Sequence, residues 1–565
     1  MKASRAIAKT SLWLRAGVCL VAGAVAAGLG TSTAAGGAAR ATMNPTLNVA
    51  VDWSDVDHSD PALSYSVLGW QIEQETCDTL VGYSDHSGSV SNSVGPLAAG
   101  LPVISNGGKR YVFTIKSGLH FSNGDPITAV NFKYAFDRDA LKNLVSPVSA
   151  FMSGVVGWNA ENKSSTIQSV SGVKASGQKL TINLTRPDGT MLPKLALPFF
   201  CPLDKNSGLW TGSKWLDSEY TGAFPGSGLY YLSSRTVNSQ MVLKKNTHYS
   251  GPKLSKASTI VITMEVSPST AFNGIENGTY ASDLNGNPEP QNNKTLYDTY
   301  GKNKSRFWVE PTMIISYLVM NEARPTFAPS HVALRQAVND VIDRPGWVKI
   351  GGYLSATPQT QVLPKELAGS HWKPNFKYPI TSPDNARFAA AAKLGNNCDN
   401  HAQINFWHNT STAGLQWATL VEYDLEKIGC NVNDVPLCGY CRYVPEGVKG
   451  NSMDIMTAGW SDDYPDGYDW FGILFNGRTI APYNNTDLAY MNNSTVNRKT
   501  DVCNKLIGPA RTNCWGALDQ WMTANVAPWA TIASYNFVDY IAPNAHNYRY
   551  DGPFASVDLG VLYQS

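Results

Sequence analysis

After residue 41 the chain has no run of about 18 uninterrupted apolar residues, the rough length of a membrane-spanning helix. Nor does it carry a basic block: 45 Lys and Arg stand against 44 Asp and Glu. The electrostatic footprint of a nucleic-acid binder is therefore missing, and no nucleic-acid partner is expected. There is no H-E-x-x-H, no G-x-S-x-G and no Walker loop. Cys438-Gly-Tyr-Cys441 has neither a second Cys-x-x-Cys nor a nearby His pair to complete four zinc ligands. These absences predict a protein with no catalytic residue, no metal and no cofactor.

The chain opens on a targeting pattern. Lys2, Arg5, Lys9 and Arg15 precede the small and apolar run Ala16 to Leu29, and a small-residue zone ends at Ala39-Arg40-Ala41. This is the order of a secretory signal, expected to occupy residues 1–41. Cys19 lies early in the apolar run rather than after a small-residue lipobox, so no lipid anchor is expected. Cleavage after Ala41 would remove five of the 45 basic residues, leaving 40 against 44 acidic ones and a net charge of about −4. The expected location is periplasmic, or extracellular and associated with the cell surface.

Export also frames the cysteines. Without Cys19, eight remain, an even number that suits up to four disulfides. Order along the chain favours Cys398–Cys430, Cys438–Cys441 and Cys503–Cys514 as local bridges, leaving Cys77 with Cys201.

The expected mature length exceeds the roughly 250–300 residues that one core serves, which predicts at least two lobes. In the first half, Leu47–Val51 and Lys109–Lys116 alternate as strands do. Val67 to Val81 has helical spacing, and a turn needing Gly124 leads to a helix over Ala129 to Asp137, capped by Thr128. Strand pairs are predicted around Val170–Leu184 and Leu229–Lys245. From about Ile314 strands and helices alternate: a strand over Ile315–Met320, helices over His331–Ile342, Asp384–Leu394 and Thr412–Ile428, strands at Ile404–Trp407 and Asn431–Val435. That texture predicts a largely parallel α/β lobe. One helix is expected near Val496–Ala524, then a strand-rich tail from Ala530.

The segment Gly459–Phe471, GWSDDYPDGYDWF, sets Asp462, Asp463, Asp466 and Asp469 among five aromatic rings. Carboxylates beside aromatic faces suit a ligand that is cationic at one point and flat or apolar elsewhere. A calcium loop starting at Asp462 would need an acidic or Asn residue at its third position and Glu at its twelfth, where Tyr464 and Ile473 stand. A glycosidase needs two carboxylates facing each other across a bond, and no partner outside this turn stands out.

An ordered series of motifs spans essentially the whole of the expected mature chain: Asp60-Pro61; Glu75 with Thr79-Leu-Val81; Tyr111–Lys116, Gly118, Phe121, Gly124 and Pro126–Ala129; Gly226-Ser-Gly-Leu-Tyr230; Lys245-Asn246 and Tyr249; Asn277-Gly278, Ala281 and Asp283; Asn321, Pro325, Phe327, Val332, Arg335-Gln-Ala337 and Ile342-Asp-Arg344; Gly459-Trp460, Asp463 and Pro465-Asp466; Ala527-Pro-Trp529. This set resembles the extracytoplasmic solute-binding proteins of ABC importers, family 5, the dipeptide, oligopeptide and nickel binders. Leu229 stands where that family usually has Pro. The resemblance implies a periplasmic-binding-protein-like α/β fold of type II, two lobes closing on a cleft, with an enlarged, discontinuous N-terminal lobe. Lobe I is expected over 42–312 with a subdomain at about 93–204, lobe II over 313–529, and a tail over 530–565 returning to lobe I.

The resemblance further implies a protein that captures a solute without transforming it. Peptide-binding members hold the ligand's α-ammonium on an Asp three residues after a Trp, and Asp463 after Trp460 occupies that position. Tyr464 beside it and Trp70 after Gly69 are further expected ligand contacts. Asp462, Asp466 and Asp469 are expected to satisfy turn backbone or face water. Arg335 and Asp343 are expected to pair or face solvent. A short peptide is the leading ligand, an oligosaccharide the alternative and a nickel complex third; a secreted hydrolase is the reading from another class. The expected partners of a monomeric protein are the permease and ATPase subunits of the importer.

Overall fold

Leu47 and Val49 alternate with polar neighbours, and the chain there forms the half-buried strand Thr46–Ala50. A computed structural model describes residues 45–565, apart from 52–55, 84–91, 143, 162–168, 208–224, 287–288, 438–447, 449 and 483–484. The expected signal and the expected Cys438–Cys441 bridge lie outside the described residues. Thr46–Ala50 runs parallel to Thr259–Thr263, which pairs antiparallel with Gln240–Lys245 and through it with Tyr230–Thr236. The core under this sheet includes Leu47, Ile260 and Tyr230 together with Phe307, Val538 and Leu562, so the last part of the chain packs against the first.

A second sheet is wholly antiparallel, in the order Val103–Ser105, Arg110–Thr114, Lys179–Asn183 and Val173–Ser176. The turn at Asn123–Pro126 does need its glycine, since Gly124 has φ +89°. The helix Ala129–Asp139 starts after Thr128, whose backbone N–H donates to the Asn131 side chain at 2.9 Å. It buries Phe132, Ala135 and Phe136.

The third sheet has six strands: Ala356–Pro358, Trp529–Tyr540, Phe307–Met320, Ile455–Trp460, Gln403–Asn409 and Asn431–Leu437, in that order. Only the pairings of Gln403–Asn409 with its two neighbours are parallel, and the other three are antiparallel. The expected largely parallel sheet is thus corrected to a mixed one. Two long strands that return on each other supply its middle, and local strand–helix alternation does not reveal them. Ile315, Tyr317 and Val319 face one core with Trp470 and Trp515. Leu318 and Met320 face another with Val338 and Phe406, the period-2 division of a sheet buried on both faces. Phe307–Met320 and Trp529–Tyr540 run from the first core into these two, and their pairing register shifts between Pro311 and Ile315.

Three of the four expected bridges are formed: Cys77–Cys201, Cys398–Cys430 and Cys503–Cys514. The single helix expected near Val496–Ala524 is two, Ser494–Cys503 and Gly508–Asn525, joined across their break by the last of these bridges. Helical spacing from Val67 ends at Thr76, and Val81 already belongs to the strand Val81–Tyr83. Arg335 does pair, with Glu322, but it does not face solvent. It is fully buried, donating to the carbonyls of Phe327, Ala328 and Val526, with Glu322 3.6 Å away. Asp343 caps the helix Arg344–Gly351 through the Gly346 N–H at 3.0 Å.

Candidate functional site

The strand Ile455–Trp460 delivers the aromatic and acidic segment to one end of the mixed sheet, and Pro465 lies in the turn that follows it. Asp466 then caps the short helix Gly467–Phe471, accepting from the Tyr468 N–H at 2.8 Å. Arg511 fixes the cap from below. Its guanidinium donates to both Asp466 oxygens, at 2.6 and 2.7 Å, and to the carbonyls of Cys503, Asn504 and Leu506. Gly467 has to be glycine for packing, since a Cβ would lie 2.4 Å from Trp515 Cγ.

The rings of this segment are divided between two cores. Trp470 and Phe471 belong to the sheet's core with Trp515. Tyr464 is fully buried in the core of the second sheet, edge-on to Phe151 at 6.1 Å, with Lys194 Nζ 5.8 Å from its ring. The turn carrying Asp462 and Asp463 therefore runs between the two cores.

Asp463 is 7% exposed, and its carboxylate accepts from the Tyr65 hydroxyl at 2.8 Å. Tyr65 immediately precedes the N-cap Ser66 of the helix Val67–Thr76. Trp70 in that helix is 7% exposed, donates its indole N–H to the Ser64 carbonyl at 2.8 Å, and meets the Tyr65 ring edge-on at 5.7 Å. Trp70 is thus packing that holds Tyr65. Trp460 is half-buried, and its indole N–H donates to Asp469 Oδ2 at 3.1 Å. The same oxygen accepts from the Asp463 N–H at 3.0 Å.

These partners divide the expectation for the remaining aspartates. Asp466 and Asp469 do satisfy turn backbone, but Asp469 is fully buried and Asp462 is 7% exposed, so neither faces water. Burial pushes the Asp463 carboxyl up to about 7, against the hydrogen bonds from Tyr65 and Asp469. Burial, and then the charge of Asp463, hold Asp469 well above the carboxylate range. Asp469 accordingly keeps its proton and Asp463 ionises first. Burial and the charge on Asp463 likewise raise the Tyr65 hydroxyl, which stays a neutral donor. Among the described residues, no lysine or arginine forms an ion pair with Asp462, Asp463 or Asp469. A buried carboxylate met only by neutral donors gains from an approaching cation.

Sequence reasoning singles out Asp463, Trp460 and Asp469 but not Tyr65 or Arg511. Tyr65 and Asp463 are 398 residues apart, and no local pattern marks such a contact.

The profile of a family described as bacterial extracellular solute-binding proteins, family 5 middle, matches residues 93–481. Similar curated proteins include the periplasmic murein peptide-binding protein of Escherichia coli K12, 23% identical over 75% of this chain and 77% of that protein. The periplasmic oligopeptide-binding protein of Salmonella typhimurium LT2 is 24% identical over 71% of this chain and 70% of its own length. A probable deoxycholate-binding periplasmic protein of Escherichia coli K12 is 26% identical, over 34% of this chain and 36% of that protein. Among solved structures, a clavulanic acid biosynthesis oligopeptide binding protein superposes with TM-score 0.78 at 19% identity, covering 92% of this chain and 95% of the other. The Escherichia coli murein tripeptide binding protein gives TM-score 0.74 at 19% identity, covering 92% and 99%. At these identities the structural likeness shows the fold.

Proposed function

We propose, from the premise that this chain belongs to the bacterial extracellular solute-binding proteins of family 5, that it captures a short peptide and hands it to an ABC importer. A protein of this family binds its solute and is not an enzyme. The observation that carries the peptide reading is Asp463: a buried carboxylate, raised by its burial, that meets a tyrosine hydroxyl and no cation. A peptide's α-ammonium supplies the missing charge. Its charge-assisted hydrogen bond contributes about 1.5–3 kcal/mol in a drying cleft. The names of the murein peptide and oligopeptide binders support a peptide, and none of the relatives described above is named for an oligosaccharide.

In this reading Trp460 walls the ammonium site, Tyr464 anchors the turn from the core of the second sheet, and Trp70 acts through Tyr65. Lobe I comprises 42–312, with a subdomain at about 93–204 and the tail 530–565, and lobe II comprises 313–529. The core shared by Leu47, Phe307, Val538 and Leu562 supports that division, and the two long strands that leave it suit a hinge. The protein works as a monomer outside the cytoplasmic membrane, with the importer's permease and ATPase as partners. No described helix is long and apolar enough to cross a membrane.

Calorimetry with separate pools of short peptides and oligosaccharides tests the reading. Peptides are expected to bind and sugars to remain inert, with Asp463→Asn losing the peptide signal. Sugar binding with inert peptides would overturn it.

A further inference from the structure

Tyr65 is 40% exposed, so packing alone does not fix the side chain whose hydroxyl reaches Asp463. Its backbone is tied to Asp57. One oxygen of the Asp57 carboxylate accepts from the Tyr65 N–H. The other accepts from the hydroxyls of Ser66, at 2.9 Å, and Ser64, at 3.4 Å. Ser66 in turn caps the helix Val67–Thr76, accepting from the Gly69 N–H at 3.0 Å.

The close approach of this carboxylate depends on a glycine. A Cβ on Gly69 would lie 2.6 Å from Asp57 Oδ1 and 2.2 Å from Ser64 Oγ, so the helix omits a side chain where the carboxylate enters. Asp57 is also held from behind. Val56 before it is buried in the core under the first sheet. The Val56 carbonyl accepts from Arg235 Nη2 at 3.0 Å, on the strand Tyr230–Thr236. One carboxylate thus ties the first sheet to the residue that meets Asp463.

We infer that Asp57 is a positioning residue for ligand capture, fixing Tyr65 so that its hydroxyl stays on Asp463. The inference rests on the reading that a peptide ammonium sits at Asp463. The hydrogen bond from Tyr65 lowers the Asp463 carboxyl against the larger effect of burial, so a displaced Tyr65 lets Asp463 keep its proton to higher pH. The role requires an acceptor for the Tyr65 N–H and not a charge. Asn at position 57 still accepts there through its carbonyl, while its amide turns to the serine hydroxyls.

Carbon-13 NMR of the aspartate-labelled full chain, with Asp463→Asn identifying the signal, follows the Asp463 titration without any ligand. Tyr65→Phe and Asp57→Ala are each expected to move the midpoint up from about 7, the double variant no further, and Asp57→Asn to restore it. Calorimetry with Ala-Ala-Ala at pH 6.5 should follow the same pattern. Tyr65→Phe and Asp57→Ala are each expected to bind about threefold or more weakly, and Asp57→Asn within about twofold of the unaltered protein. A midpoint that Asp57→Ala leaves in place, or shifts further in the Tyr65→Phe protein, overturns the positioning. Midpoints that shift while the affinities stay equal overturn its part in capture. If the midpoints shift but the folded, unaltered protein does not bind Ala-Ala-Ala, the peptide reading fails and the placement of Tyr65 by Asp57 stands.

Discussion

The Tyr65 hydroxyl donates to the Asp463 carboxylate at 2.8 Å, joining residues 398 apart in the chain. Tyr65 is held by Trp70 and Phe199, in the core of the second sheet, whereas Asp463 follows the strand Ile455–Trp460 of the mixed sheet. The hydrogen bond closes one part of the fold on another at the point proposed for the ligand's charge. A neutral hydroxyl leaves the carboxylate's charge uncompensated, and the free protein bears that cost.

Removing the charge should therefore stabilise the free protein. The folded-state value near 7 lies above the roughly 3.9 of an unfolded Asp, so the penalty is absent below about pH 4, grows from there to about 7 and is complete above it. Asp463→Asn is expected to gain on the order of 1–2 kcal/mol at pH 8 and nothing at pH 4. Thermal unfolding at the two pH values measures the difference.

Peptide affinity should depend on pH through the same group. Below about 7 Asp463 must lose a proton before it can hold an ammonium, and affinity is expected to fall by up to tenfold per pH unit. A free peptide amine loses its own proton above about 7.7–8.0, so affinity should be greatest between about 7 and 8. Calorimetry from pH 5 to pH 9 traces the curve.

Arg511 supports the binding turn through Asp466 and three backbone carbonyls. Arg511→Met leaves a largely buried carboxylate without its partner and is expected to cost about 3–5 kcal/mol. In a denaturant series, Arg511→Met combined with Asp466→Asn should cost less than the two single losses together.

Cys77–Cys201 closes 124 residues and follows the helix that carries Trp70. Loop-closure entropy puts its contribution at about 4–5 kcal/mol. The paired Cys77→Ser and Cys201→Ser variant should show that loss in urea unfolding, with affinity weakened because Tyr65 is less firmly placed.

Much of this architecture is legible locally. Thr128 before an apolar-periodic stretch marks a helix start, and Asn123-Gly-Asp-Pro126 marks a turn, because short-range hydrogen bonds and backbone sterics decide both. Asp463 is singled out by its place after Trp460 in the family's pattern. The pairing of Arg335 is met by Glu322, but its burial is not legible, because its acceptors, the carbonyls of Phe327, Ala328 and Val526, come together only when the chain folds. The direction of Ile455–Trp460 was hidden for a similar reason: both its sheet neighbours are distant in sequence, Phe307–Met320 antiparallel and Gln403–Asn409 parallel. Asp469 looks like any aspartate in an acidic turn until Trp460 and the Asp463 N–H are seen to share one of its oxygens.

The most direct test of the ammonium anchor is calorimetry at pH 7.5 on one binding peptide with a free amino terminus and its N-acetylated counterpart. Loss of a buried charge partner costs about 2–5 kcal/mol, so acetylation is expected to weaken binding at least thirtyfold in the unmodified protein and hardly at all in Asp463→Asn. Equal affinity of the unmodified protein for the two peptides would contradict the anchor.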